Sequence, residues 1–296
     1  MTKCVIIVTY EPELNNLKRL TECAQAAGFL PVISDNSEKH PVAKQQVADG
    51  AQVIRMGGNA GIAAAQNAGI RLAKKLGADV IGFFDQDSQA DEKLLGKLEE
   101  ALYMLGECVV SPLALEKGSL EEYPVQTLNR FGYPKDVFVK GKKSPQKVDL
   151  VISSGMMTFM SVFEKVGNYE EDFFIDFVDV EWCLRCKKAK VPVYVIPDAV
   201  LVHKIGNENV SVGEMNIVVH SAVRTYYKVR NSFLLFYKKA GVIFTIRQIL
   251  PALLHNFLLI FSVKDKGMYA KYYFLGIIHG ICGVRGKYKG GKKNAS

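Results

Sequence analysis

The chain has 296 residues, of which 49% are hydrophobic and 23% are charged, so its composition excludes a disordered protein and suits one large α/β domain or two small ones. Its six cysteines show no paired spacing, and the N-terminal apolar run is too short for a signal peptide, which predicts a reducing, cytoplasmic compartment. The net charge of +8 is unevenly distributed, because residues 215–296 carry 14 Lys and Arg and a single acid, Asp265. This basic third predicts an anionic partner.

Short runs of β-forming residues alternate with helical patterns in the first part of the chain. The patterns predict strands at 3–9, 29–34, 51–56, 79–85 and 108–112, and helices at 12–27, after the Gly/Asn-rich loop that begins at 57, and at 91–105. Strands and helices that alternate in this way form βαβ units. The order therefore predicts a parallel sheet with helices on both faces.

The middle of the chain interrupts this alternation. Residues 113–150 are polar and rich in Lys, Gly and Pro, which predicts an excursion of loop and hairpin rather than a domain boundary. The segment 149–160 is predicted to return to the core. Residues 171–190 begin with acids and become a helix, and 191–204 form a further strand.

From residue 215 onward the sequence is helical, basic and aromatic, so we expect a first domain at 1–214 and a helical region at 215–296. The longest apolar run, about 249–263, is shorter than the ~20 residues of a membrane span and contains Pro251. We therefore expect this region to lie on a membrane surface rather than to cross the bilayer. The alternative is a helical subdomain whose Lys and Arg side chains are merely solvated.

Two carboxylates, Asp85 and Asp87, follow the fourth predicted strand with one residue between them. Residues i and i+2 of an extended segment point to the same side, so the pair is placed to share one divalent cation through oxygen ligands. The carboxyl end of a strand is also where open α/β sheets bind ligands. A solvated strand end with Asp as a turn residue is the alternative.

A second candidate site is the loop and helix start "GGNAGIAAAQNAGI" at 57–70. Glycines and Asn59 before a helix leave backbone N–H groups available, and a helix N-terminus favours phosphate. The pattern is neither GxGxxG nor a Walker loop, which disfavours a dinucleotide or a Walker-type nucleotide site. A tight strand-to-helix turn explains the glycines equally well.

A third group of polar residues surrounds the only tryptophan. Asp176, Asp179 and Glu181 precede or start a helix, where the helix dipole favours acids, yet their position beside Trp182 also suggests a general base near a sugar-stacking aromatic ring. His203 lies in an apolar strand, where a lone histidine is more often a core residue than a metal ligand.

Together these segments resemble the family-2 glycosyltransferases with the GT-A fold, over about residues 3–240. The resemblance rests on the order of "VTYEP" (8–12), "SDNS" (34–37), the glycine-rich loop, "FFDQDSQ" (83–89) and "FFIDFVDVEWCLR" (173–185), followed by His203. Within the family, "DQDS", "DFVDVEWCLR" and "YYKVRN" (226–231) look most like bacterial rhamnosyltransferases of surface-polysaccharide assembly. They are also similar to the galactofuranosyltransferases.

The resemblance implies a fold and a division of the chain. The fold is a mixed, mainly parallel central sheet flanked by helices, with a C-terminal helical extension. Residues 1–214 would be the GT-A catalytic domain, and 215–296 a region near the acceptor and the membrane.

The resemblance also implies a role for individual residues. The nucleotide-sugar would be bound by Thr9, Tyr10, Asp35, Asn59, Gly61, Asn67, Asp85 and Trp182. Asp85, Asp87 and His203 would hold Mg²⁺ or Mn²⁺. Asp179 would be the catalytic base, with Glu181 as a supporting acid. Because Val178 stands where the family often has a second acid beside the base, Asp176 competes with Asp179 for that role.

The implied activity is the inverting transfer of a sugar onto a hydroxyl of a saccharide acceptor. The expected donor is dTDP-β-L-rhamnose, and the expected acceptor is linked to a polyprenyl lipid in surface-polysaccharide biosynthesis, at the inner face of the cell membrane. Alternatives are the same mechanism with UDP-galactofuranose or a UDP-hexose, and a sugar-nucleotide nucleotidyltransferase. The latter usually carries a basic Gly-rich loop after its first strand, which "TYEPELNN" lacks.

Two further expectations concern partners. The basic residues of the last third are interleaved with long apolar stretches, which disfavours nucleic acid as a partner. The formation of a homo-oligomer stays open.

Overall fold

A computed structural model describes residues 1–203, 208–212 and 215–290, without the side chains of 203, 208–212 and 215–219. The chain divides into two compact units, Met1–Tyr169 with Asp179–Ile205 and Glu170–Val178 with Gly206–Ser296. A segment from the middle of the sequence thus belongs with the C-terminal region. The domain boundary expected after residue 214 stays a prediction.

The first unit contains a central sheet and a separate hairpin. Its strands are β1 (Thr2–Thr9), β2 (Leu30–Asp35), β3 (Gln52–Arg55), β4 (Ala78–Asp85), β5 (Val109–Glu116), β6 (Val125–Leu128), β7 (Pro134–Val137), β8 (Gln146–Val148), β9 (Met157–Phe159) and β10 (Val193–His203). Within the described residues, eight strands form one sheet in the order β3-β2-β1-β4-β9-β5-β10-β8, and β6 pairs with β7.

The predicted mixed, mainly parallel sheet is confirmed. Strands β3, β2, β1 and β4 run parallel to one another, and β10 runs parallel to β5. The antiparallel members are β9, between β4 and β5, and β8 at the edge beside β10. The register aligns Thr9 with Asp35 and Val8 with Asp85, so β1, β2 and β4 end together at one edge of the sheet.

Helices cover this sheet because their apolar residues recur every three or four positions. They are α1 (Leu14–Ala26), α2 (Ile62–Lys75), α3 (Glu92–Leu105), α4 (Met160–Val166) and α5 (Val178–Lys188). In α1 the buried Leu17, Leu20 and Ala24 form one stripe. Gly69 of α2 lies so close to β1 that an added Cβ would stand 2.5 Å from Ile6 Cγ2, which explains a glycine inside this helix.

In its described residues, the second unit consists of the segment Glu170–Val178, a short hairpin and three long helices. Its elements are β11 (Glu208–Val212), β12 (Met215–Val219), α6 (Ala222–Tyr237), α7 (Val242–Ser262) and α8 (Lys266–Ile281). Gly276 and Gly280 let α8 approach α6 closely, since a Cβ on Gly280 would lie 2.7 Å from the ring of Phe233. The helical pattern expected from residue 215 was wrong for Met215–Val219. There, β-branched residues pair as a strand with β11.

The apolar run near residue 250 belongs to a longer helix than the sequence predicted. Helix α7 has 21 residues, and Pro251 lies inside it. An 18-residue window of α7 has a mean hydropathy of 1.5, so the helix is long and apolar enough to cross a membrane by length and composition alone. It is the one such helix in the part of the chain that the structure describes, and 28% of that window is buried.

Candidate active site

The end of β2 holds a buried carboxylate whose oxygens are fully engaged. Asp35 is 2% exposed. Its Oδ1 accepts hydrogen bonds from Thr9 Oγ1 at 2.9 Å and from both N and Oγ of Ser37 at 3.1 and 2.6 Å, and its Oδ2 accepts one from Val42 N at 2.8 Å. The structure therefore brings Thr9 and Asp35 together and uses them to fix the loop after β2. Their direct contact with a nucleoside stays a prediction.

The glycine-rich loop is tied to the same strand end by Asn36. The Asn36 amide donates to Gly61 O at 3.2 Å and accepts from Ala60 N at 3.1 Å. Asn59 Oδ1 in turn accepts from Gly61 N at 3.0 Å, and Gly61 has a φ of +92°, immediately before α2 begins at Ile62. The sequence analysis selected Asn59 and Gly61 but missed Asn36. Its position between Asp35 and Ser37 in a polar post-strand run was the available signal.

Glu11 is a second organising residue that the sequence analysis missed. It has a φ of +46°, and its carboxylate accepts hydrogen bonds from the backbone N–H groups of Lys39, Glu38 and His40 at 2.7, 2.9 and 3.2 Å. These bonds, with that from Lys39 the strongest, lower the pKa of Glu11. The carboxylate thus links the loop after β1 to the loop after β2.

The turn after β4 is anchored to the end of β1 by Gln86. Gln86 Oε1 accepts from Tyr10 N at 2.6 Å, Gln86 Nε2 donates to Tyr10 O at 3.2 Å, and Asn16 Nδ2 donates to Gln86 O at 2.6 Å. The Tyr10 side chain is 45% exposed. Gln86 therefore sets the position of the turn that follows Asp85. In this turn Asp87 is exposed, whereas Asp85 is half-buried.

Two consecutive serines connect Asp85 with Asp179. Asp85 N donates to Ser154 Oγ at 3.4 Å, and Ser153 N donates to Asp179 Oδ2 at 3.1 Å. Ser154 Oγ also lies 2.7 Å from Ser88 Oγ, and both serine side chains are buried. The sequence analysis did not select these serines, because their partners lie far away along the chain.

Gly155 holds the serine pair in place. It has a φ of +81°, and its N–H donates to Phe83 O at 2.7 Å. A Cβ at this position would stand 2.4 Å from Pro112 Cγ, so both the backbone conformation and the space require glycine.

The carboxylates at the end of β4 suit a hard divalent cation, since Asp85 and Asp87 offer oxygen ligands. Among the residues whose side chains are described, no group of three or more His, Cys, Asp or Glu is placed to hold a metal ion. The side chain of His203, the third expected ligand, lies outside those residues. Its neighbour Val202 forms an isolated antiparallel bridge with Gln89, so the end of β10 runs beside the segment that follows Asp87.

Two residues expected to bind the nucleotide-sugar lie in the core. Trp182 is 0% exposed and stacks on Phe163 with ring centroids 4.6 Å apart, while its Nε1 donates to Gly167 O at 2.8 Å. Asn67 is buried and exchanges two hydrogen bonds with the backbone of Tyr169, at 2.9 and 3.0 Å. The structure therefore places both side chains in the core of the first unit. Their expected contact with the nucleotide-sugar stays a prediction.

Glu181 supports the helix that carries Asp179. Its carboxylate receives a bidentate pair of hydrogen bonds from Arg185, at 2.8 and 2.9 Å, and Arg185 also donates to Val166 O and Asn168 O. Glu181 is 5% exposed. Through Arg185 this ion pair joins α5 to the end of α4. The expected role of Glu181 as a supporting acid stays a prediction.

Asp176 belongs to the second unit, where its carboxylate pairs with Arg224 at 3.0 Å. Phe174, Asp176 and Phe177 all have positive φ values, between +61° and +66°. The Asn231 amide holds this strained segment by donating to the carbonyl groups of 173, 175 and 176 at 2.9, 2.6 and 3.1 Å. The guanidinium of Arg224 thus pairs with the Asp176 carboxylate. The choice between Asp176 and Asp179 as the base stays a prediction.

Arg230 completes this arrangement in the second unit. It is 0% exposed and donates to the carbonyl oxygens of Gly286 and Phe173 at 2.6 and 2.9 Å, while its Nε donates to Asn231 Oδ1 at 2.8 Å. The "RN" pair therefore binds the segment before α5 to helix α6. In the sequence analysis, Arg230 and Asn231 entered only as part of the motif 226–231 that resembles the rhamnosyltransferases.

Comparison with known proteins places this chain in a family. The model described as glycosyl transferase family 2 matches residues 4–167. The dTDP-rhamnosyl transferase RfbF of Shigella flexneri is 39% identical over 295 residues, which cover 98% of each chain. The low-salt glycan biosynthesis hexosyltransferase Agl10 of Haloferax volcanii is 26% identical over 241 residues, covering 78% of this chain and 74% of its own.

Two solved structures share the fold at low sequence identity. GalNAc-T7, crystallised with UDP, GalNAc and Mn²⁺, has a TM-score of 0.56 and 12% identity, and the match covers 84% of this chain and 53% of that one. S. aureus TarS 1–349 in complex with UDP-GlcNAc has a TM-score of 0.55 and 13% identity, with coverage of 94% and 82%. These likenesses show a GT-A fold. With the family match and the full-length relative, they show that this chain belongs to glycosyltransferase family 2.

Proposed function

We propose that this glycosyltransferase moves L-rhamnose from dTDP-β-L-rhamnose onto a hydroxyl group of a saccharide acceptor, with inversion at C1. The observation that carries the proposal is the 39% identity to a dTDP-rhamnosyl transferase over 98% of both chains.

The donor would bind at the common edge of β1, β2 and β4. Thr9, Asp35 and Asn36 hold the loops there in one geometry through side-chain hydrogen bonds of 2.9 to 3.2 Å. A site fixed before the ligand arrives loses less conformational entropy on binding. The N-terminus of α2, directly after Gly61, favours the diphosphate.

Asp85 and Asp87, with His203, would hold Mg²⁺ or Mn²⁺ beside the diphosphate. The bound cation would neutralise charge on the departing nucleoside diphosphate. The support from this structure is the pair of carboxylates at the end of β4 and the course of β10 beside the following segment. Titration calorimetry with Mn²⁺ tests this metal site independently of turnover. Asp87→Asn should weaken the binding of Mn²⁺, whereas the control Asp198→Asn, at an exposed carboxylate, should not.

Asp179 would take the proton from the acceptor hydroxyl. Ser153 N–H holds one carboxylate oxygen at 3.1 Å, and the serine pair links this group to the strand end that bears Asp85. As the hydroxyl oxygen attacks C1, its proton passes to Asp179 and the bond from C1 to the diphosphate oxygen breaks. One displacement from the opposite face turns a β-L-donor into an α-L-rhamnoside.

The acceptor would be a lipid-linked saccharide at the inner surface of the cell membrane. The support is the charge of the last third of the chain, with 14 Lys and Arg and one acid, which suits both anionic lipid and a lipid diphosphate. The first unit would then supply the chemistry and the second unit the contact with acceptor and membrane.

A donor screen tests the proposed reaction. Release of nucleoside diphosphate by the purified full-length protein is measured for dTDP-rhamnose and competing sugar nucleotides, with and without a lipid-linked acceptor. Asp179→Asn should lower kcat by about 10²–10⁴-fold, while Asp198→Asn should leave it unchanged. Full activity of Asp179→Asn would contradict its role as the base and transfer that role to Asp176.

A second candidate donor is a hexose or galactofuranose nucleotide. It is favoured by the 26% identity to a hexosyltransferase over 241 residues. Turnover of such a donor with silence for dTDP-rhamnose would retain the mechanism and overturn the rhamnose assignment.

A further inference from the structure

Helix α7 carries apolar side chains on two opposite faces. The inner face is packed within the second unit, where Leu259 and Ile260 are buried in one cluster with Val229, Tyr269 and Tyr273 of α6 and α8. Burial of this face fixes α7 to its neighbours. It also means that the remaining face of α7 is not needed for the core.

The outer face of α7 is an exposed apolar stripe. It consists of Ile246, Leu250, Leu254, Phe257 and Phe261, which are between 43% and 62% exposed. Residues spaced by three and four positions lie above one another on a helix, so these five side chains form one row about four turns long. Contiguous exposed apolar patches of this kind mark interaction surfaces.

The stripe continues onto α8. The ring of Phe257 lies 6.1 Å from that of Tyr273, which in turn lies 5.3 Å from Phe274. Phe274, Ile278 and Ile281 follow one another along α8 and are 56%, 57% and 60% exposed. The exposed apolar side chains of the two helices, linked beneath the surface by the buried ring of Tyr273, are called the α7–α8 surface below.

The two helices that carry this surface also carry exposed positive charge. Lys264, Lys266 and Lys271 are exposed at the junction and along α8, and Asp265 is the single acid among residues 215–296. Two copies of the chain that met through the α7–α8 surface would bring two strongly cationic regions together, and their repulsion would oppose association. An anionic lipid surface satisfies both the apolar side chains and the charge.

The packing of α7 also decides between crossing and lying on a bilayer. The inner face is held against α6 and α8, and it includes the buried polar side chain of Asn256. The helix therefore offers lipid one stripe rather than a complete apolar cylinder, which is typical of helices that lie in the interface with one face immersed.

We propose that the α7–α8 surface inserts into the interfacial layer of an anionic membrane, with α7 lying in the membrane plane. This proposal adds the contacting surface to the membrane location proposed above. It rests on the proposed function only for the choice of the inner leaflet. The sequence indicated the basic third as a whole, whereas the structure selects one row of side chains.

Vesicle flotation tests the proposal with the full-length protein and no donor present. Phosphatidylcholine vesicles with phosphatidylglycerol are compared with phosphatidylcholine vesicles alone. The double variant Leu250→Glu, Leu254→Glu should lower the partition coefficient by about 100-fold or more, because two inserted leucines are replaced by charges. The charge-matched control Met104→Glu, Phe138→Glu alters residues of the first unit that are 68% and 61% exposed, and it should float like the parent.

Each remaining outcome counts against the proposal. Undiminished flotation of the α7 variant would overturn it, and equal binding to uncharged vesicles would overturn the choice of anionic lipid. Protein that resists alkaline carbonate extraction would show a spanning helix. If the parent protein did not bind vesicles but formed a dimer without lipid, and the α7 variant were monomeric, the surface would bind a second copy of the chain instead of a membrane.

A separate readout keeps this test distinct from that of the reaction. Turnover with a water-soluble acceptor should be unchanged in the α7 variant, because Leu250 and Leu254 are exposed and take no part in the proposed chemistry. If the α7 variant no longer floats but turns over the soluble acceptor normally, the result supports the membrane contact of the α7–α8 surface independently of the reaction. Normal flotation of a parent protein that turns over no donor would leave the surface standing and reject the proposed function.

Discussion

The two units of this chain distribute polar and apolar groups in opposite ways. In the first, apolar strands are covered and polar side chains collect at the strand ends, where Asp35 receives four hydrogen bonds. In the second, Arg230 is 0% exposed inside the helices whereas Leu254 is 62% exposed outside. Chemistry needs a few atoms held within about 0.5 Å. A lipid surface needs breadth and charge but no fixed partner atoms.

The buried polar groups of the two units also differ in the distance that they span along the sequence. Asp35 is held by residues from its own loop and the adjacent strand. Arg230 and Asn231 hold carbonyl groups more than fifty positions away, in the segment that precedes α5. The first cluster stabilises one loop, and the second joins two distant parts of the chain. Loss of the second should therefore cost more.

The largest expected effect follows removal of the buried guanidinium. Arg230→Met should lower the free energy of unfolding by about 3 kcal/mol or more, because several buried carbonyl groups lose their donors at once. Arg230→Lys should lower the free energy of unfolding as well, since one ammonium group cannot reach all the acceptors of the planar guanidinium group. Urea unfolding checks both.

The matched control for that experiment is Arg285→Met, whose side chain is 53% exposed and pairs with Asp172 at 3.3 Å. We expect a change of less than about 1 kcal/mol for this exposed pair. Equal losses in Arg230→Met and Arg285→Met would remove the distinction between a buried clamp and a surface charge.

A pH effect of similar size should be confined to the second unit. Burial, followed by the charges of Lys228 and Arg224, lowers the pKa of His220 to about 4, while Asp176 opposes this shift and His255 adds to it. The folded state thus binds fewer protons than the unfolded state, so stability is lost as pH falls from about 6.5 toward 4, by about 2–3 kcal/mol. Unfolding midpoints of the parent and His220→Asn, measured across this range, should converge at low pH. Parallel pH profiles would contradict the expectation.

A smaller effect is expected at the strand end of the first unit. Asp35→Asn keeps the shape of the side chain but replaces one acceptor oxygen with an NH₂ group that faces donors. This should cost about 2 kcal/mol, because hydrogen bonds to a charged acceptor are lost. Thermal unfolding measures it, with the exposed Asp49→Asn as control. An unchanged melting temperature would show that the Asp35 cluster does not fix the loop.

The smallest effect should come from Glu11. Hydrogen bonds from the backbone of residues 38–40 lower its pKa, so its contribution to stability is present above the pKa of an unfolded glutamate and is lost as pH falls through the folded value. Glu11→Gln should therefore be less stable than the parent near pH 7 and equal to it in strong acid. Denaturant midpoints at the two pH values give the comparison, and a difference that persists in acid would assign the effect to packing rather than charge.

Several elements of the site could be predicted from local sequence. An apolar run followed by polar residues marks the end of a buried strand, and this located Asp85 at the carboxyl edge of the sheet. Thr9 and Asp35, which only the resemblance selected, end the neighbouring strands at the same edge. Glycines before a helical pattern likewise located Gly61 at the start of α2. These predictions succeeded because each depends on a few neighbouring residues.

Other residues could not be placed in this way. Trp182 stands beside Asp179 in sequence, but its ring is enclosed by Phe163 and Tyr169. Asn67 lies in a loop-and-helix motif that suggests ligand binding, yet it pairs with a backbone 102 positions away. A side chain's neighbours in space decide whether it faces a ligand or the core, and those neighbours are not its neighbours in sequence.

The sequence by itself determined the order of strands and helices up to β5, the acids at the strand end and the excess of positive charge in the last third, since periodicity, turn residues and charge act locally. Tertiary structure alone decided that Ser153 and Ser154 connect Asp85 to Asp179, that Glu170–Val178 belongs with the C-terminal helices, and that α7 keeps one apolar face outside. Each of these depends on contacts between residues far apart along the chain, and close packing of the whole unit selects such contacts.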